Sequence, residues 1–97
     1  MLHTFSAQLW LWDGRKSDAW TFVTLPPELS DELRERTGPR KSFGSVPVEV
    51  TIGDSTWRTS IFPDKASGSF LLPVKAAIRK AEALSAGDTM EISLTTV

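Results

Sequence analysis

Lys75 and Arg79 stand four residues apart, a spacing that puts two cations on one face of a helix. Like charges at that spacing oppose one another, and a lysine in a first helical turn also meets the positive end of the dipole. Two unfavourable placements invite a compensating anion. Glu82, three residues after Arg79, is one source of it, and a bound ligand is another. Arg58 completes the candidate ligand-binding set of Lys75, Arg79 and Arg58, whose ordinary alternative is an internal ion pair or a solvated face. The second signal is four tryptophans in 97 residues. Trp10 and Trp12 alternate with Phe5, Leu9 and Leu11, and Trp20 lies near them across a hairpin. If the leucines face a core, these three indoles face outward and mark a candidate interaction surface, unless a helix or loop covers them. Trp57 falls on the inward face of its own hairpin and reads as core.

Acid–base and metal chemistry find less material. His3 is the only histidine, and a catalytic triad would need it to converge with a serine and a carboxylate. Its place at the start of a strand reads as a solvated residue. One histidine and scattered aspartates fall short of the three or four ligands that zinc requires. Asp13, Asp18, Asp54, Asp64 and Asp88 all sit in turn contexts, where aspartate hydrogen-bonds the local backbone. No phosphate loop, dinucleotide glycine pattern or HExxH occurs. No catalytic residue, metal ligand or cofactor is therefore assigned, and the expectation is a protein that is not an enzyme.

Composition narrows the partners. Eleven basic and twelve acidic residues give a net charge of −1, which removes a bulk electrostatic case for nucleic acid or an anionic membrane. Arg34, Arg36, Arg40 and Lys41 do cluster, but Glu28, Asp31, Glu32 and Glu35 interleave with them. Without cysteine, disulfides and thiolate metal sites are excluded. The start Met-Leu-His-Thr-Phe lacks a basic, apolar leader, and no apolar run is long enough to span a membrane. A cytoplasmic protein is expected, forming one domain over residues 1–97, either a monomer or a homodimer.

Period-two alternation predicts strands over Thr4–Trp12, Ala19–Leu25, Val46–Ile52, the segment after Gly53-Asp54, Ser69–Leu72 and Met90–Thr95. With Gly53-Asp54 as a two-residue turn, Val50 faces Trp57, Val48 faces Thr59, Val46 faces Ile61, and Glu49 pairs with Arg58. Pro47 lacks a donor and suggests an edge or a bulge. Glu28–Arg36 carries Leu29 and Leu33 at i, i+4 with acids early and arginines late, which predicts a short helix. A second helix is predicted from Pro73, with Val74, Ala77, Ile78, Ala81 and Leu84 on one stripe. The order strand, Leu-Pro, helix, turn, strand occurs twice, an internal repeat that points to a pseudo-twofold barrel closed within one chain. The fold class expected is mainly β: a six-stranded barrel with two short helices, whose closure hides edges that short strands would otherwise expose.

Leu72-Pro73-Val74-Lys75-Ala76-Ala77-Ile78-Arg79-Lys80, with Leu84, Gly87-Asp88 and an alternating last strand, resembles a bacterial family of small domains of unknown function. Trp20-Thr21-Phe22-Val23-Thr24-Leu25-Pro26 and Arg58-Thr59-Ser60-Ile61-Phe62-Pro63 match its other blocks, so the resemblance spans nearly the whole chain. It implies a double-split β-barrel related to the swapped-hairpin DNA-binding domains of AbrB-type regulators and antitoxins. Those relatives build the barrel from two chains, whereas both halves are expected here in one. Some members are joined to a bacteriocin-protection (OmpD-associated) domain, which is not expected in these 97 residues. The resemblance carries no activity.

The function expected is a non-catalytic barrel that binds a protein partner or a small anionic ligand. A nucleic-acid-binding regulator, by analogy with the AbrB-like barrels, is the alternative, and a small enzyme ranks below it.

Overall fold

Eleven residues of alternating side chains make β1 (Leu2–Trp12) long enough to serve two neighbours in turn. In the computed structural model, which describes residues 2–12, 20–37 and 44–97, Leu2–Gln8 pair with the last strand and Leu9–Trp12 with the second. The remaining elements are β2 (Trp20–Thr24), α1 (Pro27–Thr37), β3 (Val46–Ile52), β4 (Ser55–Pro63), β5 (Phe70–Val74), α2 (Ala76–Ala81) and β6 (Thr89–Thr96). They close into one antiparallel barrel in the order β1-β2-β5-β4-β3-β6. β4 divides its length as β1 does: Ser55–Ile61 pair with β3, then Phe62 and Pro63 with β5. Exchanging β1 with β4, β2 with β5 and β3 with β6 returns the same ring of neighbours. The expected class, mainly β with a closed six-stranded barrel and two helices, is the one observed.

Alternation decides what fills the barrel. Val46, Val48, Val50 and Ile52 point inward with Leu9, Val23, Ile61, Leu72, Ile92 and Leu94, all buried. Eight strands leave an interior just wide enough for side chains, so six filled with branched aliphatics leave no lumen for a ligand. Any binding is therefore external. The helices sit beside the long strands: α1 brings Leu33 fully into the core and Leu29 partly, and α2 and its exit bring Ile78 and Leu84 against it.

The central hairpin has the predicted register, Val46↔Ile61, Val48↔Thr59, Glu49↔Arg58 and Val50↔Trp57. Its turn explains the Gly-Asp order. Gly53 alone of the two central residues has positive φ, 57°, and a first-position glycine is what a type II′ turn requires. Glu82 reaches over this turn from the end of α2, accepting hydrogen bonds from the Ser55 hydroxyl at 2.6 Å and the Asp54 N–H at 3.4 Å. A Cβ on Gly53 would run into that carboxylate. Gly53→Ala is therefore expected to lower stability by about 1–2 kcal/mol, from the left-handed backbone and the displaced Glu82 together. The shift of the urea midpoint at unchanged slope measures it.

Four sequence expectations are corrected. Pro73 does not open the second helix. It lies in β5 opposite Phe22, Val74 is a buried strand residue, and α2 begins only at Ala76 with Lys75 as its N-cap. Phe70 accepts from the Leu25 N–H on the β2 side, so Pro73, three residues on, turns its donorless nitrogen toward β4, whose pairing has ended at Phe62↔Leu71. Pro47 marks neither an edge nor a bulge, because β3 runs between β4 and β6. Its carbonyl accepts from the Val97 N–H at 3.3 Å, so the missing donor falls at the last rung beside β6, where little pairing is lost. Leu11 is 47% exposed: β1 has left β6 after Gln8 and runs on past the packed interior. His3 is not a solvated residue. Its side chain is only 12% exposed and its Nε2 lies 3.6 Å from Glu32 of α1. The turn over Asp13–Asp18 and the loop after Thr37, with Arg15, Lys16, Arg40 and Lys41, lie outside the described residues.

Candidate functional site

The three cations of the first candidate set occupy different surroundings. Arg58 points outward from β4, with its Nε 3.4 Å from the Glu49 carboxylate, an exposed cross-strand pair worth about 0.2–1 kcal/mol. Lys75 is exposed at the start of α2. Arg79 is half-buried in the last turn of that six-residue helix and already has an interaction partner. Glu82, the expected counter-charge, is turned to the Gly53-Asp54 hairpin instead. The aspartates behave as turn residues where they are described. Asp64 accepts from the Ser67 N–H and hydroxyl, and Asp88 from the Ser85 N–H. Among the described residues no three His, Asp or Glu side chains form a cluster suited to a metal ion, and no helix is long and apolar enough to cross a membrane.

Trp10 and Trp20 are brought together around Phe22. Trp10 and Phe22 are opposite partners on the outer face of β1 and β2, with ring centroids 5.3 Å apart and planes tilted by 35°. Trp20, two residues before Phe22, lies 6.3 Å from it and nearly parallel, at 16°. The Trp10 indole N–H donates to the Thr24 hydroxyl at 3.0 Å, which fixes the edge of the ring. Trp12 pairs with Trp20 through the backbone. Leu71 continues the wall on β5, and Phe62 of β4 lies opposite it. Trp20 is 50% exposed and Phe62 46%. Beside Trp20 runs a groove of about 370 Å³ lined by Trp10, Trp20, Phe22, Leu71 and Asp64.

Composition and spacing had not pointed to Phe22, Phe62, Leu71 and Asp64. The signal was present, because Phe22-Val23, Ile61-Phe62 and Phe70-Leu71-Leu72 put apolar residues on both faces of their strands. A half-buried strand needs only one apolar face, so the second requires another explanation.

Two further grooves are seams between a helix and a strand. One, of about 420 Å³, lies between the start of β1 and α1 and holds the His3–Glu32 contact. The other, of about 440 Å³, lies beside Gly53 and contains Glu82 and Glu91. In each, a carboxylate is already spent on the protein itself, on His3 in one and on Ser55 and Asp54 in the other. The aromatic wall is different: its apolar surface faces solvent.

Against known proteins, the model of a family described as a domain of unknown function (DUF1905) matches residues 5–94. No curated protein matches the chain.

Proposed function

Because the chain belongs to the DUF1905 family, whose description carries no activity, we propose its role from its own surface: it is a non-catalytic module that docks a protein partner on the outer aromatic wall of the barrel. The observation that carries this is the exposure of Trp20 and Phe62 on a wall continued by Trp10, Phe22 and Leu71. Folding supplies no reason for that wall, since the interior is already filled by the opposite faces of the same strands. Aromatic residues are enriched in the cores of protein interfaces, where tryptophan supplies much of the binding energy. The rings are also held in place before any partner arrives, through the contacts among Trp10, Trp20 and Phe22 and the Trp10–Thr24 hydrogen bond. Pre-ordered contacts lower the entropy lost on association. The anion-binding alternative has less support, because Arg58 is engaged by Glu49 and Arg79 has a partner within the chain.

Selection of displayed random peptides on the folded chain tests the reading. Peptides enriched by the wild type are expected to bind Trp20→Ala/Phe62→Ala at least tenfold more weakly, a loss of about 1.4 kcal/mol. Both side chains are about half buried, so the double variant is expected to lose some stability while keeping its fold, which its cooperative unfolding transition checks. Arg58→Ala, on another part of the wall, should bind as the wild type does. Enriched peptides that bind the double variant equally well would overturn the assignment, as would a selection that enriches nothing over the double variant.

A further inference from the structure

We propose, building on the docking surface above, that its groove seats the guanidinium of an arginine side chain presented by the partner. Three features of the groove converge on this chemistry. The first is the floor of the groove. Trp20 and Phe22 are nearly parallel, and Trp10 leans against Phe22, so the site offers ring faces along its length. Ring faces carry negative quadrupole density and attract a cation placed within about 6 Å, tryptophan most strongly. A planar guanidinium also stacks on such faces, which a compact ammonium does not.

The second is Asp64, the one charged residue that lines the groove among the described residues. Its carboxylate is held by two hydrogen bonds from Ser67, the N–H at 3.2 Å and the hydroxyl at 2.8 Å. Both go to Oδ2, and the Ala66 backbone adds a further hydrogen bond to the carboxyl, so the group is held in place with its full charge beside the groove. The Ser67 hydroxyl also pulls the carboxyl below its usual range, so the group stays ionised in neutral and mildly acidic solution.

The third is the order of the lining. Leu71 and the rings give an apolar path, and Asp64 gives an anionic position beside it. An arginine matches that sequence of surfaces, with an aliphatic stem that packs on apolar groups and a charged head that donates to a carboxylate. A purely apolar guest would leave Asp64 facing hydrocarbon, and an acidic one would be repelled.

The test uses the peptides Gly-Ser-X-Ser-Gly with X as arginine, citrulline, lysine or norleucine, titrated against the full chain while the indole N–H signals of Trp10 and Trp20 are followed by NMR. Citrulline keeps the shape of arginine and removes its charge. The arginine peptide is expected to bind at least fivefold more tightly than the citrulline and norleucine peptides, and more tightly than the lysine peptide. Asp64→Asn, which retains an acceptor for Ser67, should bring arginine binding down to the citrulline level. If that variant loses its fold, the comparison of arginine with citrulline on the wild type still decides. Equal binding of arginine and citrulline, or an arginine affinity unchanged in a folded Asp64→Asn, would overturn the proposal. If norleucine binds as well as arginine and loses affinity in Trp20→Ala, the arginine assignment fails while the aromatic docking surface stands. If no peptide shifts either indole signal and the display selection also enriches nothing, both fail together. Self-association abolished by Trp20→Ala would replace the arginine with a second copy of the chain and likewise overturn the assignment.

Discussion

Leu94→Ala is expected to lower the stability of the domain by about 3–4 kcal/mol. Leu94 is fully buried and lies in the second half of β6, the strand that joins β1 to β3. Its Cα partners are His3 on one side and Val50 on the other. Removing its isobutyl group therefore opens a cavity where both halves of the wall meet, and paired strands on each side limit how far the site can collapse. A domain of this length has roughly 5–15 kcal/mol in total, so the loss is a large share of it. At about 4–8 °C per kcal/mol, the melting temperature should fall by roughly 12–30 °C. Glu91→Ala supplies the contrast. Glu91 is exposed on the outer face of the same strand, opposite Ser6, and its removal should stay within about 0.5 kcal/mol. Urea midpoints at constant slope measure both. A cost below about 1 kcal/mol for Leu94→Ala would mean that β6 does not close the barrel in solution.

Much of that closure is legible in the amino-acid sequence. Strict alternation over Val46–Ile52 with a Gly-Asp turn set the register of the central hairpin, down to the Glu49–Arg58 pair. Register is strongly specified when one face is apolar, since a slip of one residue would bury Glu49 and expose Val48. The misreadings share another cause. Leu72-Pro73 followed by Val74 and Ala77 has the local pattern of a helix start, and nothing within ten residues says otherwise. Pro73 is kept in a strand by Phe22 of β2, far earlier in the chain, and by the absence of β4 beside its nitrogen. Leu11 and His3 depart from the sequence pattern for the same reason: where the packed interior ends, and which helix lies over it, is decided by tertiary neighbours. The candidate site divides likewise. Outward tryptophans follow from alternation, but their union with Leu71, Phe62 and Asp64 depends on β5 standing next to β2 and β4 next to β5.

Leu33→Ala is expected to cost about 3 kcal/mol, and the reason lies in how α1 is held to the barrel. Leu33 is the fully buried leucine of the helix, with Leu29 one turn earlier only partly covered. Its truncation leaves a void against a sheet whose position is fixed by other contacts. Ser30 Oγ, fully buried, accepts the Phe70 N–H at 3.1 Å at the start of β5. Arg34 lies over the Phe70 ring at 5.3 Å and donates to the Gly68 carbonyl. Because these polar contacts hold the helix in register, it cannot slide inward to fill the space, and the cost belongs in the middle of the range for a buried leucine. Ser30→Ala separates the two roles. It creates almost no void but leaves a buried N–H unpaired, for which about 2 kcal/mol is expected. The Phe70 amide, released from its acceptor, should then exchange with solvent roughly 30-fold faster, while amides of β3 slow and quicken only with global stability. Leu33→Met, which keeps the volume, should cost less than about 1.5 kcal/mol. If Leu33→Ala proved as mild as Leu33→Met, α1 would be a loosely laid cover rather than part of the core, and the buried Ser30–Phe70 bond would have to hold it alone.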